Sequence, residues 1–173
     1  EGGSKNIDGP LQVGLGVKGM CYVELHARGA NNDLHSLNAA IVENPAWRLV
    51  QALNTLKNEK DEILIEGFYD TVRKPTPEDM EYLENMLYDE EVMKKSMGIK
   101  NFINNLTGIE LKKKFLYEPT CNICGIESGY IGEGSKTVLP SFAKVKMDLR
   151  LVYNQEPDEI VTLLRKHLDK HGF

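Results

Sequence analysis

Nowhere in this sequence do apolar residues run for the roughly 18 positions that a membrane-spanning helix needs. The first residues, Glu1, Gly2 and Gly3, have none of the basic and apolar character of a signal peptide. A membrane partner is therefore not expected. Cysteine is scarce: Cys21, Cys121 and Cys124 are an odd number in a chain of this size and make no disulfide framework, which favours a reducing, cytoplasmic setting. Positive charge is in deficit. Twenty-one Lys and Arg against 26 Asp and Glu leave a net charge of -5, and only Lys112, Lys113 and Lys114 cluster, so nucleic acid is a poor partner. There is no HExxH, no GxSxG and no nucleophile beside an evident base, so chemistry carried out by this chain alone is not expected.

What is present is ordinary globular composition, 41% hydrophobic and 27% charged over 173 residues, enough for one domain burying roughly 70% of its unfolded surface. Residues 1–17 are rich in Gly, hold Pro10 and show no sustained period; they read as a lead-in segment, and a domain begins at 18. From Gly19 to Arg28 apolar Cys21, Val23, Leu25 and Ala27 alternate with polar residues, the period of a half-buried strand. Asn44-Pro45 supplies a cap and a first-turn proline for a helix whose apolar stripe is Ala46, Leu49, Val50, Leu53 and Leu56. The run from Ile63 to Glu66 predicts a short second strand.

From about 68 to 117 the text becomes charged and helical, with a capping box at Thr76 to Asp79, and reads as a helical insertion. Strand character resumes at Thr120 and is clearest where Ala143, Val145, Met147, Leu149 and Leu151 alternate with Lys144, Lys146, Asp148 and Arg150. Pro157 opens a last helix. Strands apolar on one face only predict an α+β fold: a ferredoxin-like antiparallel sheet with helices on one face. That unit ordinarily closes with a strand after its second helix, and the sequence ends at Phe173 before one forms, so the first strand is expected to be an open edge.

Three groups of residues invite a chemical reading. Gly129 to Gly134 followed by Ser135, Lys136 and Thr137 nearly spells a phosphate-binding loop, but Pro140 and a two-residue alternation follow where that motif must open a helix. Cys121 and Cys124 form a CxxC in strand text, where residues three apart point to opposite faces. His35, in the polar segment Asp33-Leu34-His35-Ser36, is either a surface-turn residue or a donor to a developing oxyanion. Arg150, on the open face of its strand, is either a solvated charge paired with Asp148 or Glu24 or a fork for capturing a carboxylate.

Taken in order, Gly16-Val17-Lys18-Gly19, Asp33 to Ser36, Asn44-Pro45-Ala46, Gly132 to Pro140 and Leu149 to Val152 with Asn154, Gln155 and Pro157 resemble one family. It is the dinuclear zinc peptidase and deacylase family of carnosine dipeptidase, succinyl-diaminopimelate desuccinylase and acetylornithine deacetylase, and the carnosine dipeptidase branch is the most similar. The resemblance implies that this chain is the lid and dimerisation domain of a zinc-dependent exopeptidase or amidase, a homodimer acting on a peptide or N-acyl amino acid. Two zinc ions and the carboxylate base would belong to a catalytic domain of the same polypeptide, absent from this chain, so no hydrolysis is expected from the chain alone.

By the same resemblance His35 reaches into the partner subunit's site to stabilise the oxyanion, Arg150 holds the substrate carboxylate and Thr137 bonds the bound substrate. Glu1 stands where the family has a metal-binding carboxylate, a lone ligand. The family continues with Gly after Ser36, whereas Leu37 stands here, and Leu rarely takes positive φ. The competing reading is a stand-alone ferredoxin-like module that binds a ligand or protein without catalysis.

Overall fold

In the computed structural model, which describes residues 3–5, 11–14 and 16–173, the chain opens on two short antiparallel strands, β1 (Gly3–Lys5) and β2 (Leu11–Val13). The alternating segment that follows is β3 (Gly19–Arg28), and β4 (Leu34–His35) leads into a 3-10 turn over Ser36–Ala40. Helix α1 (Pro45–Leu56) starts where the sequence places it: the Asn44 side chain accepts the Ala46 N–H at 2.8 Å, with Pro45 in the first turn. Three helices occupy the charged stretch, α2 (Pro77–Asn85), α3 (Glu90–Met97) and α4 (Gly108–Tyr117). The Thr76 hydroxyl and the Asp79 carboxylate close a reciprocal capping box on α2, and Arg73 and Tyr117 add to the bonds holding Asp79 well below the usual carboxylate range. Strands β5 (Thr120–Ser128), β6 (Val138–Leu139) and β7 (Phe142–Leu151) and helix α5 (Pro157–Lys170) complete the chain.

The main sheet is antiparallel in the order β3-β7-β5, so β7 is central and its two neighbours come from either side of it in space although both precede it in sequence. That order is the split βαβ pattern expected of a ferredoxin-like unit. Ala143, Val145, Met147, Leu149 and Leu151 are buried on one face of β7, where Leu49 and Leu56 of α1 and Ile160 and Leu164 of α5 meet them. Each such side chain removed from water stabilises the fold by roughly 1.5–3 kcal/mol. Charged residues of β7 and β3 line the other face, which carries no helix: Lys146 and His26 both pair with Glu24, and Lys144 with Glu127.

One expectation needs correction. Ile63 to Glu66 makes no strand: Leu64 N–H donates to Leu56 O at 2.8 Å and Asp61 takes φ 66°, so the chain doubles back on the end of α1. The apolar run serves to bury Ile63 and Ile65 beside Phe68 rather than to extend the sheet. The lead-in segment, in which the sequence shows no sustained period, contains the β1 and β2 pair.

Candidate functional site

At the Phe142 end of β7 a short ribbon forms where β4 pairs with β6, His35 opposite Val138 and Leu34 opposite Leu139. Buried Leu139 anchors it. Asp33 pins it further, its Oδ1 accepting Ser141 N–H at 2.8 Å and Ser141 Oγ–H at 2.9 Å, and these two bonds lower the Asp33 pKa. The Ser36 N–H donates to Thr137 O at 3.2 Å across the ribbon. Two residues far apart in sequence are thereby brought together: His35 Nε2 lies 3.4 Å from Thr137 Oγ1.

The imidazole is oriented by the backbone. Leu37 N–H donates to His35 Nδ1 at 3.2 Å, so in the neutral ring the proton sits on Nε2, the exposed nitrogen beside Thr137. Nε2 is then a hydrogen-bond donor beside the Thr137 hydroxyl. Leu37, standing where the family has Gly, is accommodated without positive φ because it lies within the 3-10 turn.

Arg150 is not part of this cluster. It sits on the open face at the other end of β7, opposite Met20 on β3 and Thr120 on β5. Ala143 to Arg150 alone spans about 23 Å at roughly 3.3 Å per residue. Its Nε donates to Asp148 Oδ2 at 3.1 Å; of the two partners the sequence offered, Asp148 is taken and Glu24 is not. Sequence reasoning did not anticipate the rest of this cluster. Asn122 Nδ2 donates to Asp148 Oδ1 at 2.8 Å and the Cys124 thiol donates to the same oxygen at 3.2 Å. Register could have suggested the first, since Asn122 pairs directly with Asp148.

The CxxC is split between faces, as strand geometry requires. Cys121 is buried, which pushes its thiol up to about 11, while Cys124 is exposed on the open face. The glycine-rich segment runs from Gly129 into β6 and opens no helix. Glu1 lies outside the described residues. Among the described residues no three or more His, Cys, Asp or Glu side chains group as metal ligands, and no helix is long and apolar enough to cross a membrane. His35, Thr137 and Arg150 are a set of hydrogen-bond donors, which suits anionic oxygen rather than a metal ion.

The family model described as the peptidase dimerisation domain matches residues 15–173. The chain is similar to the Cys-Gly metallodipeptidase dug1 of Schizosaccharomyces pombe, 32% identical over 156 residues that cover 90% of this chain and 33% of that protein. It is likewise similar to the Beta-Ala-His dipeptidase of Rattus norvegicus, 31% identical over 155 residues, 89% of this chain and 31% of that one. Among solved structures, the M20 family metallo-carboxypeptidase Sso-CP2 from Sulfolobus solfataricus matches with a TM-score of 0.88 at 45% identity, covering 92% of this chain and 41% of that chain. Human carnosine dipeptidase 1 matches at 0.82 and 27%, covering 88% and 33%. The chain thus spans about a third of the length of the curated relatives it matches. With its antiparallel sheet, its helices on one face and a match over nearly its whole length, the chain belongs to the peptidase dimerisation domain family of the M20 metallopeptidases.

Proposed function

We propose that this domain is the lid of a zinc-dependent exopeptidase or amidase, working as a homodimer in which its two ends serve two different active sites. The separation of the site residues carries this reading. A dipeptide is about 7 Å long at roughly 3.5 Å per residue, whereas His35, beside the Phe142 end of β7, and Arg150 are separated by a strand segment of about 23 Å. One copy cannot place both on one such substrate. A two-fold dimer removes the difficulty, because each site then takes His35 and Thr137 from one subunit and Arg150 from the other.

In each site the His35 Nε2–H donates to the oxyanion that forms when water adds to the scissile carbonyl. It is worth most there because its orientation is already fixed by the Leu37 N–H and costs nothing at the moment of reaction. The Thr137 hydroxyl, 3.4 Å from Nε2, adds a second bond to the bound substrate. Arg150 offers its planar fork to the substrate's terminal carboxylate. The two zinc ions and the proton-shuttling carboxylate would be held by a catalytic domain of the same polypeptide, to which this domain adds hydrogen bonding and carboxylate capture. Helix α1 is the contact for self-association, with Trp47 and Val50 exposed upon it. The chain by itself hydrolyses nothing.

Steady-state kinetics of the complete enzyme test the roles. His35→Ala lowers kcat by roughly 10² to 10³ with KM little changed, as removal of an oxyanion donor does. Arg150→Lys raises KM while kcat holds, because the point charge survives and the bidentate fork does not. Wild-type kinetics in both variants would overturn the assignment.

A further inference from the structure

On the open face, Arg150 does not stand alone: Asp148 two residues before it on β7 and Asn122 and Cys124 on β5 form one hydrogen-bonded group with it. The Asp148 side chain is only 13% exposed against 48% for Arg150, so the carboxylate lies down among its donors while the guanidinium projects from them. Both Asp148 oxygens are used, Oδ1 by Asn122 and Cys124 and Oδ2 by the Arg150 Nε–H. Among the described residues the two terminal amino groups of Arg150 have no hydrogen-bond partner.

A guanidinium offers a carboxylate two bidentate edges, one using Nε and one terminal nitrogen, the other using both terminal nitrogens. With Nε taken, only the outer edge remains. We infer that Asp148 is a positioning residue for Arg150: held in place by Asn122 and Cys124, it blocks the inner edge and presents the outer fork to the terminal carboxylate of a peptide or N-acyl amino acid. This rests on the reading of Arg150 as the carboxylate anchor.

An alternative use of the same carboxylate would be to neutralise Arg150, and the two uses predict opposite signs. Loss of a neutralising charge leaves Arg150 more attractive to an anion and lowers KM; loss of an orienting bond lets the long side chain sample other rotamers and raises KM. The tethers from β5 favour orientation, since a mere counter-charge has no need of two further donors to fix its geometry. Asp148 lies on the face away from the core, so its replacement leaves the buried side of β7 intact.

The experiment compares the complete enzyme with its Asp148→Asn, Asn122→Ala and Arg150→Ala variants, each with a dipeptide and with the same dipeptide amidated at its C-terminus. Asp148→Asn is expected to raise KM for the free carboxylate substrate about 10-fold with kcat unchanged, a misorientation effect. Asn122→Ala shifts KM the same way by less, and neither changes KM for the amide. A second readout needs no activity. The bond to Asp148 raises the Cys124 pKa, so Asp148→Asn speeds alkylation of that thiol at pH 8. If Arg150→Ala leaves KM for the free carboxylate unchanged, the anchor reading itself fails. If Arg150→Ala raises KM while Asp148→Asn leaves it unchanged or lowers it, the anchor stands and the positioning role is overturned.

Discussion

The two ends of β7 hold a candidate functional side chain in two different ways. At the Phe142 end the main chain does most of it: the Leu37 N–H sets the His35 tautomer and a two-residue ribbon fixes its place, with the Asp33 carboxylate tying that ribbon to Ser141. At the Leu151 end side chains do it, through the Asp148 carboxylate and its donors on β5. On the proposed roles, the difference follows from what each end would supply. A donor to a developing oxyanion has to be in the right tautomer at a fixed point, and backbone bonds give that with little freedom. A carboxylate anchor has to present a charged fork, and a charge-assisted network aims it without withdrawing its terminal donors.

That contrast can be broken one end at a time. Asp33→Ala removes the tie between ribbon and sheet while leaving Arg150 and its partners intact. It is expected to lower kcat of the complete enzyme about 10-fold by loosening His35, with KM for the carboxylate substrate unmoved; a KM effect equal to the kcat effect would show that the ends are not independent. A change outside both hydrogen-bonded groups sharpens the point. Asn44→Ala removes the cap of α1 and should cost about 1 kcal/mol, read as a lower urea midpoint with both kinetic constants intact.

The smallest expected effect is on acid stability, and both ends share it. Hydrogen bonds from Ser141 lower the pKa of Asp33, and the bond from Asn122, with those from Cys124 and Arg150, lowers that of Asp148. For each, the stabilisation is fully present above the ordinary carboxylate pKa of about 3.9 and is lost as pH falls through the lower folded value. Thermal melts between pH 5 and pH 2 should therefore show a shallower acid decline in the Asp33→Asn, Asp148→Asn double variant than in the wild type.

Much of the scaffold was legible because the sequence carries its period. The alternation in β3 and β7, the Asn44-Pro45 start of α1 and the capping box at Thr76 all lie within a few residues of their partners. The misread segment at Ile63 has the composition of a strand, but a positive φ at Asp61 and the return bond to Leu56 fold it into a turn, and neither is written in hydrophobicity. The three-residue strands β1 and β2 are too short for any period to register.

The site divides in the same way. Arg150 on the open face and its pairing with Asp148 follow from strand alternation, since residues two apart share a face. The approach of His35 to Thr137 joins positions 102 residues apart, and Cys124 reaches Asp148 from β5 to β7 beside a register shift between Ile123 and Gly125. These depend on tertiary pairing, which local pattern does not encode.

Complementation between subunits tests the central claim most directly. Complete enzyme carrying His35→Ala on one differently tagged chain and Arg150→Ala on the other is isolated as the heterodimer by successive capture on both tags. If each active site draws His35 from one subunit and Arg150 from the other, one site of the heterodimer loses both residues and the other keeps both. Activity should then return to about half of wild type, far above either mutant homodimer. A heterodimer no more active than the homodimers would mean that one subunit supplies both residues to a site, and would contradict the account.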